Sequence, residues 1–181
     1  TLPSRGLGDV YKRQGQDSLT DFEFSNLSSQ LKESSGLNIQ TVKDFYLLEL
    51  SDNWESISEE KKIQIFKLLQ AEADLKKYDL DSFSFVSPRQ GVQSPWSSKT
   101  LNIFESCGLS EILKIEKLKA IKFSSKNKNI SDLEKILFDP LTESYIEDSN
   151  SLNEIFFELK KKKTNFIKLK KEEKTLESLN S

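Results

Sequence analysis

Arg89, Ser97, Ser98 and Lys99 are the residues whose types and spacing suit chemistry on an anion. They gather where a loop enters a helix, and the free amides of a helix start face negative charge favourably. Two cations, two hydroxyls and those amides are the right material for holding a phosphate. A structural reading of the same residues stands beside it. In that reading Ser97 caps the helix, Lys99 is solvated, and Arg89 pairs with a carboxylate within the domain or across an interface. The structural reading weighs more, because the stretch lacks the glycine density and spacing of the nucleotide-binding loop Gly-x-x-x-x-Gly-Lys-Ser/Thr.

The remaining candidates for chemistry are weaker. The chain has no histidine, which removes the commonest general base and metal ligand, and with it any Ser-His-Asp triad or histidine-bearing zinc site. Cys107 is the one cysteine. It lies near a helix C-terminus, where the dipole opposes a thiolate, and reads as a small packed residue. Asp139, Glu143, Glu147 and Asp148 do not form the tight alternating loop of a calcium site and read as a solvated acidic face. Trp96 is expected as a packing anchor rather than a platform for a base or ribose. The lysines 160–163, with Lys168, Lys170, Lys171 and Lys174, are interspersed with Glu158, Glu172, Glu173 and Glu177. Only Phe166 interrupts them as an aromatic, so a solvated connector fits better than a nucleic-acid surface.

Composition agrees. The 181 residues carry a formal net charge of −2, with a pI near 5.5, so nothing pulls the chain toward nucleic acid or anionic membrane. No apolar run approaches the ~18 residues of a membrane span. A single cysteine cannot close an internal disulfide and suits a reducing cytoplasm.

These residues need elements to position them. Pro88, Gly91 and Pro95 make residues 87–95 a shaped loop. Ser97 then reads as the N-cap of a helix that Gly108 closes in a left-handed conformation. Ahead of the loop, Ser82–Ser87 alternates as a strand, with Phe83 and Phe85 on one face and Ser82 and Ser84 on the other. Residues 111–123 interleave lysine with apolar residues and predict a long, lysine-edged strand, with Ile115, Lys117, Lys119, Ile121 and Phe123 on one face and Leu118 and Ala120 on the other; a helix is the competing reading. Thr41–Leu50 predicts another strand. Helices are expected at 25–35, ending at Gly36, and after Ser56 or Ser58, with Ile63, Phe66, Leu69 and Ala73 as the buried stripe, widened by Ile65 and Leu68. Further helices are expected from Ser131 toward Pro140 and at 149–159, with one more strand at 166–169. The irregular alternation of strands and helices suits a two-layer α+β domain.

Two segments carry a resemblance. Pro88-Arg89, Gly91, Ser94-Pro95-Trp96-Ser97-Ser98-Lys99 and, further on, Cys107-Gly108-Leu109 match a signature of formylglycinamide ribonucleotide amidotransferase, the large single-chain phosphoribosylformylglycinamidine synthase family. Downstream, Leu137-Phe138-Asp139-Pro140-Leu141-Thr142-Glu143-Ser144 resembles that family's Leu-x-Asp-x-Met-Thr-Glu-Ser segment, with Leu141 in place of the methionine. The resemblance covers roughly residues 20–181. It implies a PurS-like N-terminal domain built from two pseudo-repeated strand-helix-strand halves, with 41–87 loosely answering to 111–169. It also implies a role in the ATP-, magnesium- and glutamine-dependent step of purine synthesis that makes formylglycinamidine ribonucleotide.

In that family the ATP and magnesium ligands and the glutaminase nucleophile lie in other domains. This segment is therefore expected to hold no catalytic residue, metal or cofactor and to act by docking synthetase against glutaminase domains of the same chain in the cytoplasm. A stand-alone subunit-bridging protein, or a phosphate-binding module using the 88–99 loop, are the alternatives. Residues 15–159 are expected to form the domain, and 160–181 a lysine-rich end toward a linker domain. Thr1–Gln14 reads as foreign: Asp9-Val10-Tyr11-Lys12-Arg13-Gln14 looks like a translated transposase-type sequencing adaptor, and the whole reads as a fragment truncated at both ends.

Overall fold

The computed structural model describes residues 10–71, 79–124 and 130–156. Five strands form one antiparallel sheet: β1 (Val10–Asp17), β2 (Ile39–Leu50), β3 (Phe83–Pro88), β4 (Ile112–Phe123) and β5 (Glu143–Ile146). Their order is β1-β2-β4-β3-β5. Among the described residues four helices lie between them: α1 (Asp21–Ser35), α2 (Glu59–Leu69), α3 (Pro95–Ser106) and α4 (Ile130–Leu137). The α+β class expected from the sequence is the one observed.

The centre of the sheet is the pair β2–β4, joined from Ile39↔Phe123 to Leu50↔Ile112. Both strands are covered on both faces, so Phe45 to Leu50 are buried without interruption. On one face, Tyr46, Leu48 and Ile115 pack against Ile65 and Leu69 of α2 and Phe104 of α3. Farther along the same face, Val42, Ile121 and Val86 pack against Leu31 of α1 and Leu133 and Leu137 of α4. On the other face Phe45, Leu47, Phe85 and Leu118 are closed over by Leu152 and Ile155 of a 3₁₀ segment, Ser149–Phe156. Burial of so many large side chains at ~25 cal/mol per Å² is the main force holding these layers together.

Local signals explain most element ends. Thr20 and Glu23 form a reciprocal capping box, so α1 begins at Asp21, four residues before the expected start; Gly36 closes it with φ +69°. Ser58 caps α2. In α2 the buried residues are Ile65 and Leu69, whereas Ile63 and Leu68 face solvent, so the observed stripe is narrower than the one expected. In β3 both faces are buried: Ser84 lies on the side of Val86, which α1 and α4 cover, and Ser87 on the side of Phe83 and Phe85. The helix expected over 149–159 is a 3₁₀ segment as far as Phe156. The expectations for residues 157–181, including the lysine run and the strand at 166–169, lie outside the described residues.

Val10–Gln14, inside the adaptor-like segment, opens β1, with Tyr11 opposite Leu48 and Gln14 opposite Phe45. Pairing at a sheet edge runs backbone to backbone and accepts many sequences, so a strand here and a foreign origin are compatible.

Candidate functional site

β3 leaves the sheet at Pro88, after its ladder with β4 reaches Val86↔Lys119. The first half of β4 is therefore flanked on that side by the signature loop and α3 instead of a strand. Ser94, not Ser97, is the N-cap of α3: its Oγ accepts from the Ser97 amide at 3.0 Å. Pro95 decides this, because its fixed φ and missing N–H suit the first helical position and put the cap one residue earlier. Ser97 sits in the first turn, buried, and its hydroxyl donates to the Ile115 carbonyl, a strand acceptor that β3 no longer reaches.

Glu116 completes the junction. Its carboxylate accepts from the Ser94 amide at 3.2 Å, from the Ser94 hydroxyl, and from the Lys117 amide at 3.1 Å. The negative group held at the start of α3 is thus one of the chain's own. Glu116 was missed as a site residue, yet it shares the strand face of Leu118 and Ala120, and that parity marks it as buried.

The two signature segments meet at the outer edge of the sheet. β3 pairs with β5 through Ser87↔Ser144 and Pro88↔Glu143. Arg89 extends the contact: its amide donates to the Thr142 carbonyl at 3.1 Å and its guanidinium to the Leu141 carbonyl at 3.2 Å. Asp139 shapes the facing turn, accepting from the Leu141 amide at 2.9 Å and the Thr142 hydroxyl at 3.2 Å. The Glu143 carboxylate reaches back to the Asp139 amide at 3.0 Å. These carboxylates build a turn. Among the described residues no cluster of three or more acidic or cysteine side chains is placed to hold a metal.

The turn presents Leu141, 78 % exposed, beside the exposed Arg89, and across the loop Val92 is 60 % exposed. Gly91, with φ +75°, lets the loop bend so that its amide donates to the Ile155 carbonyl. Lys99 and Ser98 lie on the exposed side of α3; the Ser98 hydroxyl turns back to the Ser94 carbonyl. The structure therefore separates the residues proposed as one anion cradle. Ser97 points into the sheet, Arg89 toward β5, and Lys99 into solvent.

Trp96 is the expected anchor, stacked on Tyr46 with ring centroids 5.8 Å apart. Burial, then the charge of Asp44 and a hydrogen bond to it, push the Tyr46 phenol up to about 12. Asp44 in turn pairs with Lys117 at 2.8 Å across the central ladder. Gly108 adopts the expected left-handed conformation, φ +76°. Cys107 corrects an expectation: it is exposed, because it is the C-cap of α3 and its side chain lies beyond the packed turn.

Between the loop, α3, the start of β4 and the end of the 3₁₀ segment lies an open cavity of about 420 Å³. Gln93, Ser97, Lys114 and Glu116 supply its polar groups, and Leu101, Leu113 and Phe156 its apolar walls. Gln93 donates to the Ser97 hydroxyl, and Lys114 pairs with Glu49 at 3.1 Å.

Among the described residues no helix is long and apolar enough to cross a membrane. The family model for the formylglycinamide ribonucleotide amidotransferase N-terminal domain matches residues 43–156, from within β2 through the 3₁₀ segment, and so takes in both signature segments and every residue that lines the cavity. This chain belongs to the formylglycinamide ribonucleotide amidotransferase N-terminal family.

Proposed function

We propose that this domain works as a non-catalytic docking piece of the amidotransferase, in the cytoplasm, holding synthetase and glutaminase domains of one longer chain in register. The family places it in purine biosynthesis. In the proposal, ATP, magnesium and glutamine-derived ammonia serve the intact enzyme through those other domains. The observation that carries the docking role is the exposed Leu141. A three-acceptor turn anchored to Arg89 and β3 holds it out into solvent. Holding a turn in one conformation costs backbone entropy, and contact with a partner surface would offset that cost. A phosphate-binding role has less support, since Glu116 occupies the start of α3 and the Ser97 hydroxyl is committed to Ile115.

The PurS-like reading of two halves also belongs to this proposal, and regular spacing supports it. β4 follows β2 by 73 residues at both ends, Ile39 to Ile112 and Leu50 to Phe123. α3 begins 74 residues after α1. This division replaces the 41–87 and 111–169 halves expected from the sequence: the halves become β1-α1-β2 and β3-α3-β4, and their pseudo-twofold axis passes through the facing pair Phe45 and Leu118.

The test mixes this chain with separately expressed synthetase and glutaminase domains of a family enzyme and follows association by sedimentation velocity. A ternary complex that Leu141→Asp abolishes, with the variant still folded, is the expected result. No association by the unaltered chain, or equal association by the variant, overturns the docking role for this surface.

A further inference from the structure

We infer that the cavity beside the signature loop is a socket for a lysine or arginine side chain carried by the docked partner domain. The inference rests on the docking reading above and names the chemistry of one contact. Its floor is Glu116, whose residue is 3 % exposed. Three donors hold that carboxylate, Ser94 twice and Lys117 through its amide, and all are neutral groups. Among the described residues no cation lies within ion-pair distance of it. The nearest lysine on the cavity wall, Lys114, is turned to Glu49 and to the Phe156 carbonyl.

A buried carboxylate without a counter-charge is costly to keep, and a cation arriving at it gains accordingly. A carboxylate offers about four acceptor positions, so three donors leave room for another. The walls fit the rest of a long basic side chain. Leu101, Leu113 and Phe156 line the cavity, Leu113 with half of its surface exposed. Apolar walls around a charged floor match an alkyl stem that ends in an ammonium or guanidinium. A strand from the partner is a poorer occupant, because the Ser97 hydroxyl already blocks the Ile115 carbonyl on this edge of β4. The socket is also continuous with the docking surface: residues 89–92 run from the Leu141 turn to the cavity wall, tied to each by a backbone hydrogen bond.

The probe is n-pentylguanidinium, with 1-pentanol as its neutral counterpart, titrated into the full 181-residue chain while backbone amide resonances are followed by NMR. Pentylguanidinium is expected to shift Gly91, Gln93 and Ser97 saturably, about tenfold more tightly than pentanol, the margin of one charge-assisted contact. Glu116→Gln should remove that margin. Should this variant fail to fold, the comparison of the two probes on the unaltered chain still decides. Equal binding of the two probes, or no binding, overturns the socket, and so does binding that first emerges when lysines 160–163 are replaced by serine, since the chain's own lysine would then be the occupant. The docking reading has its own readout: a socket that binds the probe in a chain that forms no complex removes the docking role alone, and a complex without probe binding removes the socket alone.

Discussion

Replacing Ser94 by alanine isolates the junction on which the signature loop depends. Ser94 makes three links at once: its hydroxyl oxygen accepts from the Ser97 amide, its hydroxyl hydrogen goes to Glu116, and its amide goes to the other Glu116 oxygen. Ser94→Ala keeps only the amide link. Loss of an N-cap costs about 1 kcal/mol. Loss of a hydrogen bond to a charged group adds about 1.5–3 kcal/mol, more fully felt here because Glu116 is buried. The expected destabilisation is therefore about 2.5–4 kcal/mol, read as a shift in the urea midpoint at unchanged slope. A double-mutant cycle with Glu116→Gln separates the two contributions. Coupling of about 1–2 kcal/mol is expected, since the second change has already weakened the acceptor that the first one loses. Ser97→Ala serves as the control for the cap. It should cost only the hydroxyl's bonds, to the Ile115 carbonyl and from the Gln93 side-chain amide, and leave α3 starting where it does. If Ser94→Ala costs under about 0.5 kcal/mol, or if the Ser94 and Glu116 changes are simply additive, the account of this junction is wrong.

Other outcomes follow from single sites. Gly15→Ala places a methyl 2.8 Å from the buried Tyr46 ring and 3.0 Å from the Asp44 Cβ; a loss of about 1–3 kcal/mol in a thermal melt is expected, and a neutral result would show that β1 does not sit where it is described. The Tyr46 phenol is raised to about 12 in the fold. Its contribution to stability is therefore whole below its unfolded value near 10 and is lost as pH rises through that window. Urea midpoints at pH 9 and 11.5 should differ by less in Tyr46→Phe than in the parent chain, and an equal drop in both would remove Tyr46 as a cause. Phe104→Ala empties a fully buried ring position under α3 and should cost about 3–5 kcal/mol by urea titration, whereas a cost under 1 would mean that α3 is not packed as described.

What the sequence made legible follows from how local each signal is. Helix ends were readable where a cap, a glycine or a proline stands within a few residues, as at Ser58, Gly36 and Gly108. The cap of α3 was misplaced by three residues because Ser94, Ser97 and Ser98 are all competent caps, and only the proline between them separates the choices. The strands β2, β3 and β4 were visible from their β-branched and aromatic runs, whereas β1, inside the adaptor-like stretch, and the short edge strand β5 were not. The faces of the visible strands were less so, since β2 and β4 are covered on both sides and carry no clean alternation. The site was legible as a loop and illegible as a cavity. Glu116 enters it from a strand 22 residues beyond Ser94 in sequence, and Leu141 meets Arg89 across β3–β5 pairing that no local pattern announces.

The two halves proposed above help explain why a site forms at one end of the sheet and not at the other. Both halves begin their helix with a hydroxyl cap, Thr20 for α1 and Ser94 for α3. In the first half the acidic partner is Glu23, one turn ahead on the same helix and exposed, so the cap closes on itself. In the second half the partner is Glu116, on a neighbouring strand and buried. A local partner secures only the helix. A partner across the fold also fixes the angle at which α3 meets β4, and it brings a charge to the floor of the space between them. β1 runs on to Asp17 beside β2, whereas the ladder of β3 with β4 ends at Val86, and the loop with Gly91 fills the difference. An early strand exit opens the edge of β4, and a long-range cap puts a carboxylate there. Neither change alone would make a lined socket; together, in one half, they do.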